Sequence, residues 1–395
     1  MRIPTNREVS IILICIVIAT FSFIIIIYAI SPSWEYEIRG SAYSVSISSN
    51  GEYIVAGSGR GSVYLFQHSS SNPIRCYNTY DEIDDVDISA DGKYIVAGGD
   101  YRLYLFNASS DTPLWTYDAQ IYISKLIISG DGNYIAMSDI HDMLYVFHRS
   151  SSVPLWNETQ TSINSIDISF DGSIIITCGD EITLFNSSTS TPLWTNNPTS
   201  FMYEASLSSD GRYACVCAEA RLDLPTIYTF QTNNSHPIWN YTSAESIKVI
   251  DFSADGNYII TGGLWGTLHL FDRNSASPLF SYKTESRLIE VCISDNGDFF
   301  AVGANSDQII FFKRGNAFPL WSFPTDGPLL SIDMSSDGNY LCTSVYYSTI
   351  ALINKDFPRI FGDKVMRILI FWSVVILFMI SLVAIPIFKH YNKIP

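Results

Sequence analysis

Charge is scarce and one-sided in this 395-residue chain: 16% of residues are charged, and 39 acids against 23 bases leave a net charge of −16. Nucleic-acid binding needs a basic surface that displaces counterions from phosphates, so nucleic acid is excluded as a partner. The same balance disfavours docking of the globular part on anionic lipid. The six histidines, His68, His141, His148, His236, His269 and His390, make no HExxH or paired metal spacing. No glycine-rich phosphate loop opens a helix, and no Gly-x-Ser-x-Gly elbow occurs. The seven cysteines show no zinc spacing, and all but Cys15 fall in predicted strands, where a thiol packs as a small hydrophobe. An enzyme is therefore not expected, and no cofactor is assigned.

Two segments are too apolar for a soluble protein. Residues 9–30 carry no charge and are long enough to cross a bilayer as a helix. Residues 368–388 form the second such run, with Lys389 and Lys393 beyond it. The expected order is a tail at 1–8, a signal-anchor helix at 9–30, a globular domain at 31–360, a linker at 361–367, a second helix at 368–388 and a tail at 389–395. Cleavage near Ala29 and Ser31 is the alternative for the first run. Arg2 and Arg7 argue for a cytoplasmic N-terminus, which puts the globular domain outside the cytoplasm and both tails inside. Sites for Asn glycosylation at Asn107, Asn157, Asn186, Asn233 and Asn240 permit that location.

Between the two runs a unit recurs. In Ser89 to Trp115, Asp91-Gly92 marks a hairpin and suits a two-residue type I′ turn. Tyr94 to Gly98 and Leu103 to Phe106 read as strands, and Leu114-Trp115 opens another. The turn glycines are Gly51, Gly92, Gly132, Gly172, Gly211, Gly256, Gly297 and Gly338, separated by 41, 40, 40, 39, 45, 41 and 41 residues. A serine precedes each by three positions. Eight copies with four strands each predict an all-β fold, an eight-bladed β-propeller flanked by the two transmembrane α-helices. The longest step holds an insertion, Glu219 to Pro225.

SADGKYIVAGG resembles the second half of a WD repeat, in which a Ser-x-Asp-Gly turn joins the two inner strands. LYLFNASSDTPLW resembles the quinoprotein-type repeat, with Asn107 eight residues before a docking tryptophan, Trp115; Asn186 and Trp194 keep the same interval. The likeness spans roughly Trp34 to Ile360 and implies a propeller. The Gly-His and Trp-Asp dipeptides of WD repeats are absent, and so is their hydrogen-bonded tetrad. The vicinal cysteines and calcium carboxylates of quinone-dependent dehydrogenases are also unrecognisable, so neither quinone nor activity is carried over. Pro-Leu-Trp recurs at Pro113, Pro154, Pro192 and Pro319, whereas the first copy has Pro73-Ile74-Arg75. The eighth copy ends after its third strand, Thr349 to Ile353. An orphan strand at Trp34 is expected to complete it and close the ring.

Two residue sets are candidates for function. Four residues before the turn Asp or Asn stand Asp87, Asp167, Asp251 and Asp333, in alternate copies. Strand alternation puts them on one face. If it lines the axis, four carboxylates converge and hold a cation such as calcium; otherwise each accepts hydrogen bonds within its blade or from the next. Loops after the second strands carry Arg60, Tyr101, Arg102, His141, Arg221, Trp265, Tyr346 and Tyr347, residue types favoured at binding hot spots. The leading expectation is a membrane-anchored, non-catalytic module displaying this loop face to a protein or glycan. The alternatives are a subunit of a membrane-protein assembly complex with helix contacts to other subunits, a cytoplasmic WD-repeat regulator, and, last, a quinone- or metal-dependent oxidoreductase.

Overall fold

The computed structural model describes residues 32–221, 224–325, 327–345 and 348–355. The apolar runs at 9–30 and 368–388, with the tails and linker, lie outside the described residues. Among the described residues no helix is long and apolar enough to cross a membrane. Thirty-two strands there form eight four-stranded sheets. Each blade runs outward from the axis in chain order. In the second, Ile83–Ile88, Tyr94–Gly99, Arg102–Asn107 and Pro113–Asp118 lie side by side, antiparallel. The two middle strands are apolar on both sides and buried between neighbouring blades, whereas the outermost alternates exposed and half-buried residues. Leu65 and Tyr77 of one blade pack on Ile83, Val86 and Ile95 of the next, and similar clusters fill the other interfaces. The eighth blade is completed by Trp34–Glu37, which pairs with Thr349–Asn354 and closes the ring non-covalently.

The inner turn differs from the type I′ expectation. The Ser89 carbonyl accepts from the Gly92 N–H at 2.8 Å, and only glycine has positive φ there, +73° at Gly92. This is a four-residue turn with a left-handed glycine at its end. The reason lies in the side chains. Ser89 Oγ donates to Asp91 Oδ1 at 2.9 Å and accepts from the Tyr94 N–H at 3.0 Å, while Asp91 Oδ1 also accepts from the Lys93 N–H at 3.0 Å. A Cβ on Gly92 would lie 2.5 Å from Tyr53 Cδ2 of the preceding blade, so glycine is required for space as well as for φ. The turns then join one another. Ser49 N–H donates to the Ala90 carbonyl (3.1 Å), Ala90 N–H to Gly130 (2.9 Å), and the series continues around the ring until Ser336 N–H reaches the Ser49 carbonyl at 2.9 Å.

A second linkage runs round the circumference. The indole N–H of Trp115 donates to the Arg149 carbonyl at 2.8 Å, that of Trp156 to Ser187 at 2.7 Å, and that of Trp194 to Thr232 at 2.7 Å. Each tryptophan thus docks on the next blade. Arg75, where the first copy departs from Pro-Leu-Trp, fills the same role, its Nε donating to the Ala108 carbonyl at 2.7 Å. Of the described cysteines Cys178, Cys215, Cys217, Cys292 and Cys342 are buried and free, and burial raises their thiol pKa values. Cys76 departs from the expected burial: it stands exposed on an outer strand.

Candidate functional site

The innermost strands surround an axial channel of about 670 Å³. A β-bulge near the start of seven of these strands sets which residues turn inward. Asp87, Asp167, Asp251 and Asp333 all face this channel, as alternation predicts. Each carboxylate is engaged by two blades. Asp87 Oδ1 accepts from the Ile88 N–H at 2.8 Å and Oδ2 from the Ile128 N–H of the next blade at 2.9 Å. Asp167 takes Ile168 (2.7 Å) and Leu207 (2.6 Å), Asp251 takes Phe252 (2.8 Å) and Ile293 (3.0 Å), and Asp333 takes Met334 (2.7 Å) and Ile47 (2.9 Å). Ser46 Oγ lies 2.9 Å from Asp87 Oδ1 and 3.2 Å from Asp333 Oδ2, and donates to one at a time. Each of these aspartates thus joins its own blade to the next through backbone N–H groups. Among the described residues no three His, Cys, Asp or Glu side chains lie close enough to hold a metal ion.

A second tier of latches escaped the sequence reading. Two positions before Asp87, Ser206 and Cys292 on the innermost strands, Asp85 Oδ2 accepts from the Leu126 N–H (3.2 Å), Glu204 Oε2 from Ile250 (2.8 Å) and Glu290 Oε2 from Ile332 (2.6 Å). The same period of two that marks the first tier also marks these. Their variety of residue type hid the pattern. Seven carboxylates therefore share the channel with Lys125, Lys248 and Arg287. Loss of hydration pushes the acids up against the pull of their N–H donors: Asp87 and Glu204 to about 7, Asp167 and Asp333 to about 6. Asp85, Asp251 and Glu290 are raised by the same cause. All seven keep part of their surface open to the channel.

Loops after the second and fourth strands form one face of the ring. Both ends of the ring, before Trp34 and after Asn354, leave on the opposite face. The sequence-selected residues occupy separate sectors of this loop face. Arg60 is exposed on the first blade and covers Gly40. Tyr101 is 54% exposed, and Arg102 beside it pairs with Asp81 at 2.8 Å. His141 is exposed on the third blade, its backbone N–H held by Asp139 Oδ1 at 2.8 Å. Across the ring, Arg221 Nε donates to Glu219 Oε2 at 2.7 Å, and Trp265 is 65% exposed with its N–H on the buried Glu245. Tyr346 and Tyr347 lie outside the described residues. Loops after the fourth strands add Tyr80 and Tyr122, exposed at 93% and 38%. No residue from those loops is among those selected from the sequence.

Ring, turns and closure define a β-propeller of eight four-stranded blades. Residues 71–107 and 234–272 match the family "WD domain, G-beta repeat". Each matched segment starts before an outer strand and ends with the third strand of the next blade. Among solved structures the fold is similar to that of Sqt1 of Saccharomyces cerevisiae, at a TM-score of 0.72 and 12% identity over 82% of this chain and 99% of that one. It is also similar to the computationally designed Ika8 protein, at a TM-score of 0.69 and 13% identity over 80% and 97%. At such identities the likeness is one of fold. A search of curated proteins finds no match to this chain.

Proposed function

We propose that the chain is a membrane-anchored, non-catalytic binding module whose rigid loop face is presented to a protein partner, with a glycan as the alternative ligand. The observation that carries this reading is the exposure of Trp265 and Tyr101 on loops held by a ring latched at its turns, channel and rim. Aromatic side chains left in water on a rigid frame gain most when a partner covers them. The Ser-x-Asp-Gly turns and the two WD matches support a propeller used for contacts between proteins. The channel carboxylates are latches in this reading, with no calcium and no quinone assigned. The anchors rest on the apolar runs 9–30 and 368–388, and the extracytoplasmic placement on Arg2 and Arg7.

Protease protection of sealed vesicles, with tags at both ends, tests the topology. Cleavage of the propeller from outside with both tags protected is expected. Protection from outside would reassign it to the cytoplasm, as a WD-type regulator. The apolar runs also support a second reading, a subunit of a membrane-protein assembly complex. Co-purification with other integral subunits in mild detergent would favour it, and a lone monomer would count against it.

A further inference from the structure

The loop face carries one cluster of exposed apolar groups on consecutive loops. Around blades two and three it carries Tyr80, Tyr101, Tyr122 and Ile140, exposed at 93%, 54%, 38% and 55%. These four belong to consecutive loops tied to one another. The Tyr101 carbonyl accepts from the Ala119 N–H at 2.9 Å, and the Tyr122 carbonyl from the Ile140 N–H at 3.2 Å. Tyr122 hydroxyl hydrogen-bonds the Asp84 carboxyl, and the Glu82 N–H donates to Asp100 Oδ2 at 3.3 Å. Glu82, Asp84, Asp100 and Asp142 lie in or beside the same loops, half-buried, with Asp142 Oδ1 accepting from the Ile163 N–H at 2.8 Å. Arg102 in this sector is paired with Asp81, and Arg60 stands exposed on the neighbouring blade. On the far side of the same face Arg221 and Lys283 are paired with Glu219 and Glu245.

Backbone geometry marks the tyrosine sector as well. Tyr80 has a φ of +66°, a conformation disfavoured for a bulky side chain, and it holds the ring in solvent. Gln120 has the same left-handed conformation, φ +57°, two residues past the next outer strand, so the turn is shared and the exposed aromatic ring is what distinguishes this loop.

We propose that this sector binds a basic segment of a partner protein in which cationic and apolar side chains alternate. The tyrosine rings and Ile140 would receive the apolar groups. Arg or Lys heads would meet the ring faces and the surrounding carboxylates. An acidic segment is repelled by the same carboxylates. The inference rests on the loop-face reading above and adds the sector and the chemistry of the partner.

The test uses the full chain in non-ionic detergent and a short fluorescein-labelled peptide of alternating Arg and Leu, read by fluorescence anisotropy. Circular dichroism checks that each variant is folded. The wild type should bind this peptide and not its counterpart with Glu for Arg. Tyr80→Ala with Tyr101→Ala should weaken binding about tenfold or more, since exposed aromatic anchors carry most of such an interface. Glu82→Gln with Asp100→Asn should weaken it about fivefold and flatten its salt dependence. Trp265→Ala should change it less than about twofold, being outside the sector. No binding, or equal binding of the acidic peptide, overturns the proposal. Binding lost in Trp265→Ala but kept in the tyrosine variant overturns it while leaving the loop-face reading intact. Binding kept in all variants overturns both. A shift from dimer to monomer in the tyrosine variant would assign the patch to a second copy of this chain, also against the proposal.

Discussion

Acidification from about pH 7.5 to about 5.5 should stabilise this propeller. Asp87, Asp167, Glu204 and Asp333 have folded pKa values of about 6 to 7, above the values near 4 of an unfolded chain. Between those limits the folded state holds more protons than the unfolded one. Stability is therefore present at low pH and lost as pH rises through the folded values. His269 works the other way, because burial lowers its pKa and acid then favours the unfolded form. Asp91 and Asp171 lie outside the window. Burial pushes both up, the hydrogen bonds of their turns outweigh it, and their contribution is lost only as pH falls below about 4.

The size of the effect follows from the proton count. Channel water and mutual repulsion limit the gain, so we take roughly two protons on the four acids, less one for His269. One net proton is worth about 1.4 kcal/mol per pH unit, or about 2.7 kcal/mol between pH 7.5 and 5.5. For a ring of this size that is a rise in Tm of roughly 5 °C. The assay is the urea midpoint and Tm of the full chain in non-ionic detergent, followed by tryptophan fluorescence at matched ionic strength. Asp167→Asn with Asp333→Asn should flatten the profile. Stability that stays level or climbs from pH 5.5 to 7.5 would refute the reasoning.

Three further perturbations probe the latches. Ser89→Ala removes a buried hydroxyl that donates to Asp91 and accepts from Tyr94, and should lower stability by about 1–3 kcal/mol in urea titration. Arg75→Ala should cost about 1 kcal/mol by the same measurement, whereas Arg75→Trp should cost less, because an indole N–H serves the equivalent carbonyl in other blades. Added calcium should leave the melting curve unchanged, because each channel aspartate is committed to N–H donors of two blades. A calcium-dependent rise in Tm would return Asp87, Asp167, Asp251 and Asp333 to a metal role.

The architecture was legible because each blade repeats its instructions. The Ser-x-Asp-Gly turn sets the period, the apolar runs at Leu103 to Phe106 and its equivalents set the buried strands, and the orphan strand at Trp34 has only one blade left to complete. What the period could not convey was geometry that depends on side chains closing a turn. Asp91-Gly92 alone suggests a two-residue hairpin. The Ser89 hydroxyl converts it into a longer turn, and its effect is visible only with Tyr94 in view. Arg75 looked like a lost tryptophan until its Nε was seen on the Ala108 carbonyl.

The channel and the loop face were legible to different degrees for a physical reason. Inward-facing positions repeat along strands, so alternation puts Asp87 and its three counterparts on one common face, and the closed ring turns that face to the axis. Their role could not, since a carboxylate facing an axis serves a cation and a backbone N–H equally well. The distance from the carboxylate to the N–H of the next blade is 2.6–3.0 Å in all four cases, which is the observation that favours the latch. Loop residues carry no such period. Tyr80 and Tyr122 lie in loops whose sequences share little, and only the ring brings them beside Tyr101. Latches must be repeated because every interface needs one, whereas a binding surface need occur once. In a repeat protein the departures from the repeat are therefore the first place to look for a partner, and the exposed ring of Tyr80, where the next blade has Gln120, is such a departure.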